Sequence, residues 1–440
     1  MIYDVIIIGG GASGLYAASQ FKNKLNGLIL EKSSKPALKL MMSGAGQCNF
    51  THDGNIKDFL AHYGSHSKEV RSCLYKHNNM AVMDFFEVHG VPYIIREDGK
   101  VFPKSLQSAS VKDCLLQLSE ENGFSLMCNS DVTNIEIVSS TNDRVDECAS
   151  NYTYIVHCGN KTFSCHTLII ATGGCSYPTT GSDGSMFEIL KRLGIKIETP
   201  IPALVPVFVQ EYPYSELSGI SFDNIELTIS KNNNKTDKVN DILKFSGDLL
   251  FTYDNFSGPI ILNNSRDITT GDKISFNYFP GYTPKSMEKL LKEKASGNKK
   301  QLAGFISETA KSLDIDFPKR FAELITLQIL NAFDISQDDK DNNHSKDHKV
   351  ASLPGKVFTA LASRLTEDTF SVSGLGSFKN AMVTKGGVNL NEIDMKTMEA
   401  INYKGLYIIG EALDIDGDTG GYNLQFAFSS AVCAAQAAGL

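Results

Sequence analysis

Residues 5–31 constrain the fold more than any other part of the chain. Val5-Ile6-Ile7-Ile8 is an unbroken apolar run, the composition of a strand buried on both faces of a parallel sheet. It leads directly into Gly9-Gly10-Gly11-Ala12-Ser13-Gly14, which satisfies G-x-G-x-x-G. Residues 15–25 predict a helix, with Gly27 suited to its C-terminal cap, and Leu28-Ile29-Leu30 predicts a second buried strand. Strand, helix and parallel strand in that order form a right-handed βαβ unit.

In such a unit Gly9 permits the tight turn, Gly11 lets the backbone approach a pyrophosphate, and Gly14 lets the helix pack closely on the strand. The helix that starts here aims its free N–H groups and positive dipole end at the phosphates. Glu31 follows the second strand, where a carboxylate accepts hydrogen bonds from a ribose diol and repels a 2′-phosphate. A Gly-rich turn alone specifies little. Between two buried strands and ahead of such an acid it points to an ADP-ribose-type ligand, FAD or NAD rather than NADP. The motif does not choose between FAD and NAD.

The rest of the composition narrows the class. The chain has 440 residues, enough for two or three domains, with 42% hydrophobic and 21% charged residues. Its 42 basic against 50 acidic residues give a net charge of −8, which argues against a dedicated nucleic-acid binder or a polybasic membrane anchor, although a local basic patch stays open. No stretch approaches the ~18 apolar residues of a membrane span. A strand in place of a basic leader predicts a cytoplasmic protein. The nine cysteines are scattered, odd in number and never spaced C-x-x-C, so they read as reduced core thiols with neither a zinc site nor a disulfide framework.

Further along, Lys39 to Thr51 reads as a Ser/Gly-rich loop and residues 57–90 as helical. Residues 93–102 read as a hairpin with an Asp-Gly turn, and 111–121 as a helix. Short strands over 124–170 end in Thr167-Leu168-Ile169-Ile170-Ala171, followed by Thr172-Gly173-Gly174 and a helix near 185–193. Pro200, Pro202 and Pro206 then mark a change to β-like segments, with an Asn/Lys-rich hairpin tip at 231–235, and residues 284–332 are amphipathic and helix-rich. The polar stretch 336–349 predicts a mobile loop; its His344 and His348 lack the carboxylate-rich frame of a metal site.

α/β character returns with Gly405-Leu406-Tyr407-Ile408-Ile409-Gly410-Glu411 and an Ala-rich helix over 426–438. The stretches at 168–174 and 405–411 resemble parts of glutathione-reductase-type FAD proteins, in which the second runs along the ribityl chain. Between that strand and the helix lies Asp414 through Gln425, where Gly420-Gly421 precede Tyr422-Asn423-Leu424-Gln425. A helix starting there offers N–H donors to the pyrimidine end of a reduced flavin, raising its potential, and Asn423 or Gln425 could add side-chain hydrogen bonds. Asp414, Asp416 and Asp418 only superficially resemble a calcium loop, because Gln425 stands where an EF-hand needs Glu.

Taken together, the chain resembles the BaiN-like and aminoacetone-oxidase-like family of FAD-dependent oxidoreductases. The resemblance runs through Gly9–Gly14 with Glu31, Ser43-Gly44-Ala45-Gly46-Gln47-Cys48-Asn49-Phe50-Thr51, Val101–Ser105, Ala171–Gly174, Pro202–Pro206, Leu249–Tyr253 with Ser257–Pro259, Val383–Val388, and Gly410–Gln425. It implies an α/β fold: a bipartite Rossmann-type FAD-binding domain over 1–195 and 373–440, an inserted β-barrel-like domain over 196–283 and 351–372, and a helical cap over 284–350. The cofactor-binding set it implies is Gly9, Gly11, Ala12, Ser13, Gly14, Glu31, Lys32, Lys39, Ser43, Gly44, Val132, Ala171, Thr172, Gly173, Gly410, Glu411, Asp414, Gly420, Gly421, Tyr422, Asn423, Leu424 and Gln425. Two departures stand out: Gln47 replaces the family's usual Arg, and His52 its usual Asn.

No catalytic acid or base can be named from the sequence. Cys48 reads as loop packing sooner than as a redox thiol, Tyr422 as either a site residue or a helix staple, and Tyr253 and Asp254 as a strand end sooner than as substrate contacts. The expected function is FAD-dependent hydride transfer through flavin N5, with NAD(P)H as external donor and a small conjugated enone of the dehydro-bile-acid or steroid type as substrate, bound between flavin and inserted domain. The alternatives are an aminoacetone-oxidase-like amine oxidase that makes hydrogen peroxide, and a flavin-carrying binding protein. Nucleic acid and membrane are not expected partners.

Overall fold

The computed structural model describes residues 2–22, 24–139, 152–232, 242–335 and 349–439. The His344/His348 pair, the polar loop up to residue 348 and most of the 231–235 hairpin tip lie outside the described residues. The chain divides into two compact units, Met1–Ala203 with Ser377–Leu440, and Leu204–Gly376.

The first unit is built on a nine-stranded sheet. Its centre is five parallel strands in the order Leu406–Ile408, Lys161–Ile170, Ile2–Ile8, Gly27–Leu30 and Phe124–Met127. Val5 to Ile8 and Leu168 to Ile170 are all buried, as two-sided coverage of a parallel sheet requires. The first helix is Ala12–Ser19, ending well before the expected residue 25. Gly27 is not its cap; it is the first residue of the next strand. A Cβ there would sit 2.4 Å from the Phe124 ring, so Gly27 is required by cross-strand packing, not by helix termination. The C-terminal helix, Tyr422–Ala437, starts a turn earlier than its apolar pattern suggests and is buried continuously from Gln425 to Ala435. A helix buried all round is a core element, and here the Phe428 and Tyr16 rings join it to the first helix at 4.5 Å.

The second unit contains a closed six-stranded barrel, Val207–Val209, Phe256–Ser257, Ile242–Phe251, Ser221–Ser230, Lys273–Asn277 and Asp368–Leu375. Closure leaves no open edge. Helices Pro284–Ala295, Leu302–Lys311, Lys319–Ala332 and Gly355–Thr366 share one hydrophobic core with it, in which Phe321 meets Phe222, Phe251, Tyr214 and Tyr278. Tyr253 is exposed, just past a barrel strand in the turn closed by Thr252 and Asn255. One ion is sunk into this core. Asp368 is buried, accepts from the Tyr214 and Tyr278 hydroxyls, and pairs with Arg364 at 2.5 Å. Both carboxylate oxygens are hydrogen-bonded, which is what makes such a burial tolerable.

Removing only the charge should therefore be expensive. Asp368→Asn leaves the Arg364 guanidinium without its carboxylate and is expected to lower the unfolding free energy by about 3 kcal/mol. Urea denaturation followed by circular dichroism measures this; a loss below about 1 kcal/mol would show that the ion pair is not what ties the barrel to its helices.

Candidate active site

Adjacent parallel strands of the first unit deliver their C-terminal ends to one edge, where open α/β sheets bind ligands. Residues 9–14 follow the Ile2–Ile8 strand, Glu31 follows Gly27–Leu30, Ala171 to Gly174 follow Lys161–Ile170, and Gly410 and Glu411 lie just past Leu406–Ile408. The ladder is closed to its last rung: Gly9 N donates to Leu30 O at 2.8 Å, Ala171 N to Ile8 O at 2.8 Å, and Ile409 N to Ile170 O at 3.0 Å. Segments from both ends of the chain thus share one crevice.

The glycines of the turn differ in what they exclude. Gly9 has φ +106°, and a Cβ on it would lie 2.4 Å from Ala171 O; one on Gly14 would lie 2.0 Å from Gly9 O. Gly11 has ordinary extended φ and nothing within 4 Å of its missing Cβ. Gly9 and Gly14 therefore serve the fold, and Gly11 leaves open space beside the turn. Neither the Ala12–Ser19 helix nor Tyr422–Ala437 has a side-chain cap or an acid in its first turn, so both positive ends stay available to an anion. Thr172 adds a buried hydroxyl without a hydrogen-bond partner. An open glycine, two uncapped helix starts and an orphaned hydroxyl on one sheet edge fit FAD.

The remaining expected residues divide by what their side chains already do. Glu31 is buried and accepts from Gly10 N at 2.8 Å and Ser33 N at 2.7 Å. Lys32 is held by Asp183 and Asp131. Lys39 binds Glu411 and Ser176, and Glu411 also accepts from Ser176 and from Thr384 N. Val132 is buried at the start of its strand, and Ser13 lies against Gly410. Asp414 accepts from Gly386 N. Asn423 closes its own loop through Gly417 N, Gly417 O and Asp418 O. Gln425 is fully buried and bonds Thr51, His77 O and Ser429. The side chains of Asn423 and Gln425 are thus consumed inside the protein, and what this helix start offers a flavin is backbone N–H.

Tyr422 is buried in a stack, 3.9 Å from the His62 ring and 5.3 Å from the His52 ring. Its carbonyl accepts from Tyr63 Oη at 2.8 Å. The Ser43–Gly46 turn carries positive φ at Gly44, Ala45 and Gly46, and Cys48 is also left-handed. Cys48 is sealed, and burial pushes its thiol up to about 12, which rules out a ready thiolate. Gln47 accepts from Arg96 Nη2 at 2.5 Å, while the Arg96 guanidinium lies 3.9 Å over the Phe102 ring. A guanidinium from the 93–103 hairpin therefore reaches position 47, where the resemblance expects an arginine in the loop. His52 is fixed between Asp53 O and Asp98 O. Nothing in the sequence marks His62, Tyr63 or Arg96: the partners of the first two lie more than 350 residues away, that of Arg96 lies in a separate loop, and all three sit in otherwise ordinary segments.

Two outcomes follow from this geometry. Gly11→Val is expected to keep the apoprotein's melting midpoint while abolishing FAD uptake, and Gly14→Val to lose at least about 2 kcal/mol of stability from overpacking; thermal melts and quenching of added FAD fluorescence read both. His77 Nε2 lies 2.8 Å from Tyr16 Oη, and burial pushes its imidazole down to about 4. The folded state holds it neutral while the unfolded chain protonates below about 6.5. Its contribution is thus present above pH 6.5 and lost as pH falls towards 4. The stability gap between wild type and His77→Gln should shrink over that window by at most about 3 kcal/mol, measured by urea titration at each pH.

The geometry has counterparts among known proteins. The family described as HI0933-like protein Rossmann domain matches residues 3–437. Ribosomal RNA dihydrouridine synthase of Haemophilus influenzae is 30% identical over 434 residues, covering 98% of this chain and 97% of that protein. The Escherichia coli protein of the same name is 28% identical over 437 residues, 99% and 97% of the two chains. The 3-dehydro-bile acid delta(4,6)-reductase of Clostridium scindens is 26% identical over 445 residues, 98% of each. With its glycine turn, its strand-end crevice and a match over nearly its whole length, the chain belongs to the HI0933-like Rossmann family of FAD-dependent oxidoreductases.

Proposed function

We propose that this enzyme uses NAD(P)H to reduce a carbon–carbon double bond conjugated to a carbonyl, and that its substrate is the uracil ring of a ribosomal-RNA uridine. The observation that carries this reading is the full-length similarity to proteins whose names describe one chemistry. Making dihydrouridine adds two hydrogens across uracil C5–C6, which is conjugated to the C4 carbonyl. A delta(4,6)-reductase does the equivalent to a dehydro-bile acid. The Clostridium scindens relative favours a second reading, a steroid-type enone as substrate.

The bound flavin supplies hydride transfer through N5. The chain's own residues supply the frame. Glu31 would meet a ribose diol, the Gly11 opening would accept the diphosphate, and the Tyr422–Ala437 helix start would favour negative charge on the flavin. The net charge of −8 argues against RNA, yet the charge is unevenly placed. Over residues 284–320, Lys285, Lys289, Lys292, Lys294, Lys299, Lys300, Lys311, Lys319 and Arg320 outnumber Glu288, Glu293, Glu308, Asp314 and Asp316. Several of these lysines are fully outward, Lys289 and Lys319 with side chains 80% and 86% exposed. Such a segment suits phosphate contacts that position an RNA without reading its sequence.

The test is anaerobic. Flavin-loaded enzyme should bleach with NADH or NADPH, regain its yellow colour on adding unmodified ribosomal RNA, and leave dihydrouridine detectable by mass spectrometry of the digested RNA. Recovery of colour with a 4,6-dien-3-one steroid but not with RNA would transfer the proposal to the second reading. Bleaching by a small amine and not by NAD(P)H would overturn both in favour of an amine oxidase.

A further inference from the structure

We propose that His62 is the proton donor of this site, presented by Asp418 and by the Tyr422 ring. This rests on the double-bond reductase reading above, because such a reduction needs a proton as well as a hydride. Asp418 Oδ2 lies 3.0 Å from His62 Nδ1, and Asp418 N donates to His62 O at 2.9 Å, so the two residues are tied through both side chain and backbone. The imidazole lies flat on Tyr422, 15° from parallel. Asn423 fixes the loop by bonding Gly417 and the Asp418 carbonyl. A carboxylate only accepts, so Nδ1 carries the hydrogen, and proton exchange is left to Nε2. Among the described residues Nε2 meets no hydrogen-bond partner, and the side chain is 37% exposed. Water can reload it.

Neighbouring groups are poorly placed for the role. Burial, with Asp418 and Asp58 nearby, pushes the Tyr422 phenol up. Cys48 is sealed. His77 is held neutral by burial and spends Nε2 on Tyr16. Both His52 nitrogens face backbone carbonyls. His66 turns its Nε2 towards Asp414 at 3.9 Å. Of these histidines, His62 joins a carboxylate hydrogen-bonded ring to a nitrogen without a hydrogen-bond partner among the described residues, and its carboxylate stands two residues before the Gly420-Gly421 helix start.

The balance is simple. The carbon β to the carbonyl receives a hydride, two electrons and one hydrogen, from the reduced flavin. The α carbon receives a proton from His62 Nε2–H, and the C=C π bond is lost as two C–H bonds form. The neutral imidazole left behind takes a proton from water.

The experiment compares wild type with His62→Gln, His62→Ala and Asp418→Asn, each loaded with FAD, reduced by NAD(P)H without oxygen, and mixed with unmodified ribosomal RNA or the 4,6-dien-3-one steroid. For His62→Gln the ratio of flavin reoxidation to flavin reduction rates should fall about a hundredfold, for Asp418→Asn about tenfold, and added imidazole should restore His62→Ala. Independently of turnover, ¹H–¹⁵N NMR of histidine-labelled protein should show the Nδ1–H tautomer at His62 in wild type and its loss in Asp418→Asn. An unchanged rate ratio in His62→Gln, equal losses in both half-reactions, or an Nε2–H tautomer in wild type would each overturn the proposal. A wild type reoxidised by neither substrate overturns the reductase reading instead, whatever the tautomer.

Discussion

The arrangement depends on backbone brought closer than any side chain permits. Gly9 runs against Ala171 O, and Gly14 runs against Gly9 O, so strand, turn and helix occupy space that a single Cβ would fill. That contact sets where the first helix begins, and hence where its positive end points. The other parallel strands are then locked in register through ladders that persist to their last residues. A second contact of the same kind operates at the far end of the chain. A Cβ on Gly421 would lie 2.4 Å from Thr51 O, so the start of the C-terminal helix can reach its place only as glycine. Two glycine contacts, one at each end of the sequence, fix two helix starts.

Polar side chains around those starts are used differently from what their positions alone suggest. Asn423 and Gln425 lie in the first turn of a helix expected to meet flavin, yet each saturates its amide on protein. Glu411 and Lys39 likewise satisfy each other. Polar groups left half-satisfied in a buried setting are expensive, and here each has a partner within the protein. What stays open is backbone N–H, the Gly11 gap and the Thr172 hydroxyl. Such donors do not change charge with pH and need no side-chain ordering when a cofactor arrives, the condition for electrostatic preorganisation.

The parts legible in the sequence are those carried by short-range pattern. The unbroken apolar runs at 5–8 and 168–170 announce buried parallel strands, the Asp98-Gly99 turn announces its hairpin, and the glycine spacing announces the first helix. At Gly27 the pattern is ambiguous, because a glycine after a helical stretch looks the same whether it ends a helix or makes room for a ring from another strand. The apolar pattern of the C-terminal helix begins late because its first turn contains Asn423 and Gln425, and Gln425 is buried through Thr51 and His77, which lie far off in sequence. Arg96 and His62 stayed silent for the same reason. Their contacts with Gln47 and Asp418 join residues separated by 49 and 356 positions, beyond any periodicity.

An acidic chain with positive binding ends is no contradiction once distance is considered. Exposed charges more than about 10 Å away are largely screened by physiological salt, so a net charge of −8 says little about a crevice lined by helix starts. The local field is set by groups within a few ångströms, and these are arranged in compensated sets: Lys32 with Asp131 and Asp183, Lys39 with Glu411, His62 with Asp418. Among the described residues, the N-termini of Ala12–Ser19 and Tyr422–Ala437 carry no side-chain cap and no acid in the first turn, so their positive ends stay open. Both favour negative charge in whatever ligand meets them. Asp418 has a distinct role among these acids, because it orients an imidazole through Nδ1 and leaves the other ring nitrogen free of a hydrogen-bond partner among the described residues.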